Sequence, residues 1–215
     1  MVKLGGSLAE SGRLTAALKI VAAARAPAVI VPGGGAFADA VRCAQADLKF
    51  SDAAAHRMAL LAMHQTGMML AALNRRLEPV ETLAGIKRAL LGGRIPVWLP
   101  LMLAERDRRV PADWSATSDG LAARLAERLG RAPVVLVKSC RIAKGAPIAA
   151  LVRAGIVDPT FAAIVERARL SWRVLGAGEE RQLSAFLDAG SSSLRRARRD
   201  AYRRRAPARA IARRR

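Results

Sequence analysis

The amino-acid sequence predicts an α/β fold: a three-layer αβα sandwich with a mainly parallel, open sheet. Short apolar runs alternate with helical patterns along the body of the chain, as they do where helices cross between parallel strands. Some runs, Val134–Val137 most plainly, are apolar without a break, which marks strands covered on both faces. Glycine loops and helix-capping residues border these runs, where such folds turn from strand to helix.

Each element has its own signal. Val2–Leu4 is a short strand that enters a glycine loop. Leu14, Ala17, Leu18, Val21 and Ala22 keep the spacing of an amphipathic helix. Ala28–Val31 is a buried strand stopped by Pro32 and three glycines, and a helix should begin near Phe37. Ser51 is placed to cap a long helix over Asp52–Leu77, interrupted only by Gly67. Pro96–Leu99 is a further strand. Thr117 or Ser118 can cap a helix that runs to Leu129, and Val134–Val137 follows as a buried strand. Asp158 followed by Pro159 reads as an N-cap and first helical position, with the helix reaching about Arg169. Trp172–Leu175 is the last strand and Glu179–Leu187 the last helix. No internal repeat is visible.

Composition narrows the class. The chain has 215 residues with 52% hydrophobic content, enough for a substantial core. No apolar run reaches the roughly 18 residues a membrane span needs. The start, Met1 to Gly6, does not read as a signal segment. Cys43 and Cys140 stand far apart and in no metal-ligand spacing, so the expectation is a pair of thiols in a reducing, cytoplasmic setting. The formal charge is +20, and half of it sits in Ser191–Arg215, which holds eleven arginines and one acid, Asp200. The domain is therefore placed at residues 1–190, with 191–215 as a disordered, arginine-rich tail. That tail offers non-specific contact with nucleic acid, although Tyr202 is its lone aromatic.

Four motifs carry chemistry. In Lys3-Leu4-Gly5-Gly6-Ser7 a lysine at a strand end precedes a glycine turn. Glycines let backbone N–H groups approach phosphate oxygens, and the lysine supplies charge for a transferring phosphoryl group. This is not the GxxxxGK[ST] phosphate loop. Pro32-Gly33-Gly34-Gly35 lies between a strand and a helix, as an anion site or as a plain flexible turn. Trp114-Ser115-Ala116-Thr117-Ser118-Asp119-Gly120 opens another helix, where Asp119 either serves a site or only favours the helix dipole. Lys138 follows the strand Val134–Val137, as a solvated strand end or as a second positive charge. All four stand at strand ends or helix starts, so they can converge on one rim of the sheet, where open α/β folds bind ligands.

Together, Val2-Lys3-Leu4-Gly5-Gly6-Ser7, Pro32-Gly33-Gly34-Gly35 and Thr117-Ser118-Asp119-Gly120 resemble the signature of the amino-acid kinase superfamily. Further features are similar to the small [5-(aminomethyl)furan-3-yl]methyl phosphate kinases of methanofuran biosynthesis. These are Ala36-Phe37-Ala38 with Val41-Arg42, a long helix carrying Ser51, His56 and Met63, Trp114-Ser115-Ala116, and Val157-Asp158-Pro159-Thr160-Phe161. The resemblance covers residues 1–187. It implies ATP with Mg²⁺, a small phosphate-bearing acceptor converted to a diphosphate, and a homo-oligomer. It also implies roles: Lys3, Asp119 and Lys138 catalytic; Gly5, Gly6, Ser7, Thr117 and Ser118 around the nucleotide; Gly33, Gly34, Gly35, Arg42 and His56 toward the acceptor.

One departure stands out. Members of the superfamily usually follow the strand before Lys138 with an Asp-Gly turn that helps hold the nucleotide. Here the chain reads Lys138-Ser139-Cys140-Arg141-Ile142-Ala143-Lys144-Gly145, which leaves Lys144 as the residue to take over a charge role. Other acceptors of the same fold (uridylate, isopentenyl phosphate, a carboxylate) and a non-catalytic binding protein are the competing readings. His56 and His64 lie eight apart on one helix without a third ligand, so a satisfied histidine outweighs a metal site. Met58, Met63, Met68 and Met69 fill core or an interface between copies.

Overall fold

The computed structural model describes residues 1–189. The arginine-rich segment expected to form a disordered tail lies outside the described residues. Six parallel strands form one open sheet: β1 (Val2–Leu4), β2 (Ile30–Pro32), β3 (Leu77–Val80), β4 (Ile95–Trp98), β5 (Val134–Val137) and β6 (Trp172–Leu175). Their order is β3-β4-β2-β1-β5-β6. From β1 the chain adds β2, crosses to the edge for β3 and returns to fill the gap with β4, then adds β5 and β6 on the other side of β1. This reversal opens a crevice at the carboxyl ends of the central strands. The register sets Lys3 beside Val31 of β2 and Leu136 of β5.

The helices are α1 (Ser7–Glu10), α2 (Leu14–Ala23), α3 (Gly35–Leu48), α4 (Asp52–Ala72), α5 (Leu83–Leu91), α6 (Leu101–Glu105), α7 (Ser118–Arg128), α8 (Ile148–Arg153) and α9 (Pro159–Arg167). Residues 180–189 are also helical. Alternate strand residues feed two cores. Val29, Val31, Val134 and Leu136 pack with Leu121 and Leu125 of α7 and Phe161 and Ile164 of α9. Val2, Leu4, Ile30, Val135 and Val137 pack with Leu8, Leu14, Leu18 and Val21, and with Leu183 and Leu187. Burying each such Leu or Phe contributes roughly 1.5–3 kcal/mol. The expected three-layer arrangement with a mainly parallel sheet is met, and among the described residues all six strands are parallel.

The expected helix over Asp52–Leu77 stops at Ala72, and Leu77 opens β3 instead. Asn74 accounts for the stop. Its Oδ1 accepts the Arg76 amide at 2.9 Å and its carbonyl accepts the Leu77 amide at 3.0 Å, which turns the chain. β3 escapes sequence reading because Glu78 and Pro79 break its apolar run. It is an edge strand, where proline is tolerated. Gly67, the interruption within α4, marks a close crossing. A Cβ there would stand 2.6 Å from Leu99 Cδ2 and 3.4 Å from Pro32 Cγ. Cys43 and Cys140 are free and exposed. Among the described residues no helix is long and apolar enough to cross a membrane.

Candidate active site

Lys3 alternates with Val2 and Leu4, so its side chain leaves the α1–α2 core and faces α7. Asp119 sits in the first turn of α7, beyond the Thr117 N-cap. The two meet at the centre of the crevice. Lys3 Nζ lies 2.9 Å from Asp119 Oδ1, and Lys138 Nζ, just past the end of β5, donates to Asp119 Oδ2 at 2.5 Å. The Asp119 side chain is 3% exposed and that of Lys3 6%. Burial works to raise the Asp119 carboxyl, but the Lys3 and Lys138 charges outweigh it and hold the group below the usual carboxylate range. Burial, followed by the Lys3 charge, pushes Lys138 below the ordinary lysine value despite the attraction of Asp119. Two ammonium groups thus share one buried carboxylate, and both line the cleft, where an anion can reach them.

The two glycine loops press directly on each other beside this cluster. A Cβ on Gly6 would fall 2.0 Å from Gly35 Cα, and one on Gly33 would fall 2.6 Å from the Gly6 nitrogen. Gly33 N–H donates to Leu4 C=O at 2.8 Å, and Gly35 has φ 55°. Glycine is therefore required here by backbone contact, before any ligand is considered. Gly5 lies under the lysine head, since a Cβ there would stand 3.4 Å from Lys3 Nζ. Ser139 Oγ donates to Ser7 Oγ at 2.9 Å, tying the first loop to the β5 exit. Thr66, which the sequence did not point to, supports the second loop through a 3.2 Å bond to Gly34 C=O.

A cleft of about 460 Å³ opens over these groups. Lys3, Gly6, Ser7, Gly33, Gly34, Gly35, Arg42, His56, Thr117, Ser118, Asp119 and Lys138 all line it. Lys144 does not. It lines a separate cleft of about 510 Å³ with Ile142, Gly145, Trp172, Val174 and Glu179, alongside the edge strand β6. Arg42 is half exposed, pairs with Asp39 at 2.8 Å and stacks 4.3 Å from the centre of the Trp114 ring. Gln45 fixes that ring by accepting from Trp114 Nε1 at 2.7 Å. His56 is buried with Nδ1 3.3 Å from the Asp113 carbonyl. His64 faces elsewhere, and its Nε2 accepts the Leu101 amide at 2.9 Å. Among the described residues no three His, Cys, Asp or Glu side chains are grouped to hold a metal. Thr117 is already committed, because its amide and hydroxyl both donate to Asp158 Oδ2, at 3.0 and 2.6 Å.

The fold and cleft define an open parallel α/β protein with a lysine–aspartate–lysine cluster, set for an anion, at its topological switch point. More specifically, the chain belongs to the amino acid kinase family, whose model matches residues 1–140. It is similar to a [5-(aminomethyl)furan-3-yl]methyl phosphate kinase of Methanocaldococcus jannaschii, with 30% identity over 138 residues. The match spans 63% of this chain and 63% of that relative's length. Among solved structures, uridylate kinase from Archaeoglobus fulgidus is similar in fold, with a TM-score of 0.64 at 18% identity. The likeness covers 87% of this chain and 94% of that one.

Proposed function

We propose that the protein is an ATP-dependent kinase that converts a small phosphomonoester into its diphosphate. The observation that carries this reading is the buried cluster in which Lys3 and Lys138 share Asp119 beside the paired glycine loops. A transferring phosphoryl group spreads negative charge over its oxygens, and preorganised cations in a cleft stabilise that charge. Lys3 and Lys138 supply the cations, while Asp119 fixes their positions. ATP supplies the phosphoryl group. The residues fit its phosphates, since Lys3 and Lys138 line the cleft and Gly5, Gly6 and Ser7 adjoin them. Mg²⁺ fits as an ion that enters with the nucleotide, because Asp119 is committed to the lysines. A phosphate acceptor is ionised at neutral pH, so its attacking oxygen needs no general base from the protein.

The acceptor we favour is [5-(aminomethyl)furan-3-yl]methyl phosphate. The name of the similar Methanocaldococcus protein supports it, as does a cleft lined by Leu60, Met63, Trp114, Ile156 and Val157 that suits a small ring. His56 and Arg42, which line the cleft, are assigned to the acceptor phosphate. The nucleotide's far end is assigned to the second cleft, with Lys144 at its wall. Arg13, whose guanidinium donates to the Lys138 and Gly176 carbonyls and pairs with Glu180, ties the ends of β5 and β6 to the start of α2. We assign the oligomer to α4, where Met58, Leu61, Met68 and Met69 share one exposed face. A second copy would cover this face.

A screen of ADP release against phosphomonoesters and carboxylates tests the reading. Turnover is expected only with phosphomonoesters, the aminomethylfuran compound first. Selective turnover of uridylate or isopentenyl phosphate would replace the acceptor but keep the kinase, whereas ATP binding without turnover on any acceptor would favour a binding protein.

A further inference from the structure

We propose that Asp158 is a positioning residue: its carboxylate clasps the first turns of α7 and α9 together and so holds Asp119 between Lys3 and Lys138. Its catalytic consequence rests on the kinase reading above. As the N-cap of α9, Asp158 needs one bond, from the Phe161 amide to Oδ1 at 2.5 Å. Oδ2 accepts three more, all from α7: Thr117 N–H at 3.0 Å, Thr117 Oγ–H at 2.6 Å and Gly120 N–H at 2.9 Å. Thr117 and Gly120 bracket Asp119, so the backbone that carries the catalytic carboxylate is pinned on both sides. A second tie runs alongside, from Thr160 Oγ to Ser115 C=O at 2.9 Å. Gly120 permits the approach, because a Cβ there would lie 2.9 Å from Thr160 Cγ2 and 3.0 Å from Asp158 Oδ1.

A serine could cap α9 without burying a second carboxylate beside Asp119. What the carboxylate adds is the set of bonds to α7. Burial and then the Asp119 charge push the Asp158 carboxyl above its ordinary value, and the bonds from the Thr117 hydroxyl and the Gly120 and Phe161 amides act against that rise. The charged groups around it are Asp119 on α7 and Lys138 at the end of β5, with Lys3 of β1 reached through Asp119. The Asp158 charge favours the Lys138 ammonium.

Three variants test the clasp: Asp158→Asn, Thr117→Val and Thr117→Ser. Asp158→Asn should melt cooperatively but lose about ten- to hundredfold in kcat with little change in KM for ATP, as expected when a reacting group is slightly misplaced. Thr117→Val should reproduce the loss, and Thr117→Ser, which keeps the hydroxyl, should restore turnover. If Asp158→Asn does not fold, the Thr117 pair decides. A readout independent of turnover is ¹³C NMR of the lysine Cε groups. The Lys138 titration should move to lower pH when the Asp158 charge is removed. Variants with a lowered melting temperature but unchanged kcat and unchanged Lys138 titration would reduce Asp158 to a plain helix cap and overturn the proposal. A wild-type protein with no turnover would overturn the kinase reading instead, and the lysine titration would still decide the clasp.

Discussion

At the scale of single residues, Asp119 and its two lysines do unequal jobs. Replacing Asp119 with Asn leaves two buried ammonium groups without their counter-charge, which should cost about 3–5 kcal/mol of stability as well as turnover. Lys3→Met instead leaves Asp119 paired with Lys138. It should melt close to the wild type yet lose at least about a hundredfold in kcat, the usual effect of removing one preorganised contact to developing charge. Thermal denaturation and steady-state kinetics on both variants separate the two effects. The pH dependence follows the same charges. The folded-state pKa of Asp119 is depressed, so its stabilising contribution is present above the ordinary carboxylate range and lost as pH falls through the depressed value. Acid denaturation should therefore show an Asp119-dependent step that Asp119→Asn removes. Lys138 is lowered, so its ammonium is lost at a lower pH than an ordinary lysine's. The alkaline limb of kcat should fall below the ordinary lysine range, and Lys138→Arg should move it upward because a guanidinium stays charged.

At the scale of elements, the glycine loops and α7 position the site. Gly6→Ala would drive a methyl group into the backbone of Gly35. We expect a loss of up to about 3 kcal/mol, read by thermal melting, because neither loop can yield without moving the other. Much of this arrangement is legible in the sequence. Lys3, Gly33, Asp119 and Lys138 stand at strand ends or helix starts, and a parallel sheet brings such positions to one rim. Other features leave little or no local trace. Leu77–Val80 is too short and too broken by Glu78 and Pro79 to read as a strand. Asp158 shows only its cap to Phe161, because the bonds to Thr117 and Gly120 cross between helices. Thr117 reads as a helix cap whose hydroxyl could also reach a nucleotide, and its donors are in fact spent on Asp158. Lys144 follows the glycine and lysine motifs in sequence, yet it enters a different cleft because the chain runs on past β5 before turning.

At the scale of the whole molecule, the sheet order places the charge cluster where the chain reverses direction, and the long α4 presents its apolar face away from that site. If that face joins two copies, Leu61→Glu together with Met68→Glu should convert a dimer to a monomer in sedimentation velocity without disturbing the Lys3–Asp119–Lys138 cluster. Phosphoryl transfer itself can be followed directly. Wild type and Lys3→Met are incubated with Mg-ATP and the aminomethylfuran phosphate and observed by ³¹P NMR. Paired diphosphate resonances should grow with the wild type, and at least about a hundredfold more slowly with the variant. Equal rates in the two proteins, or no diphosphate from the wild type with any phosphomonoester, would contradict the proposed role of the cluster in phosphoryl transfer.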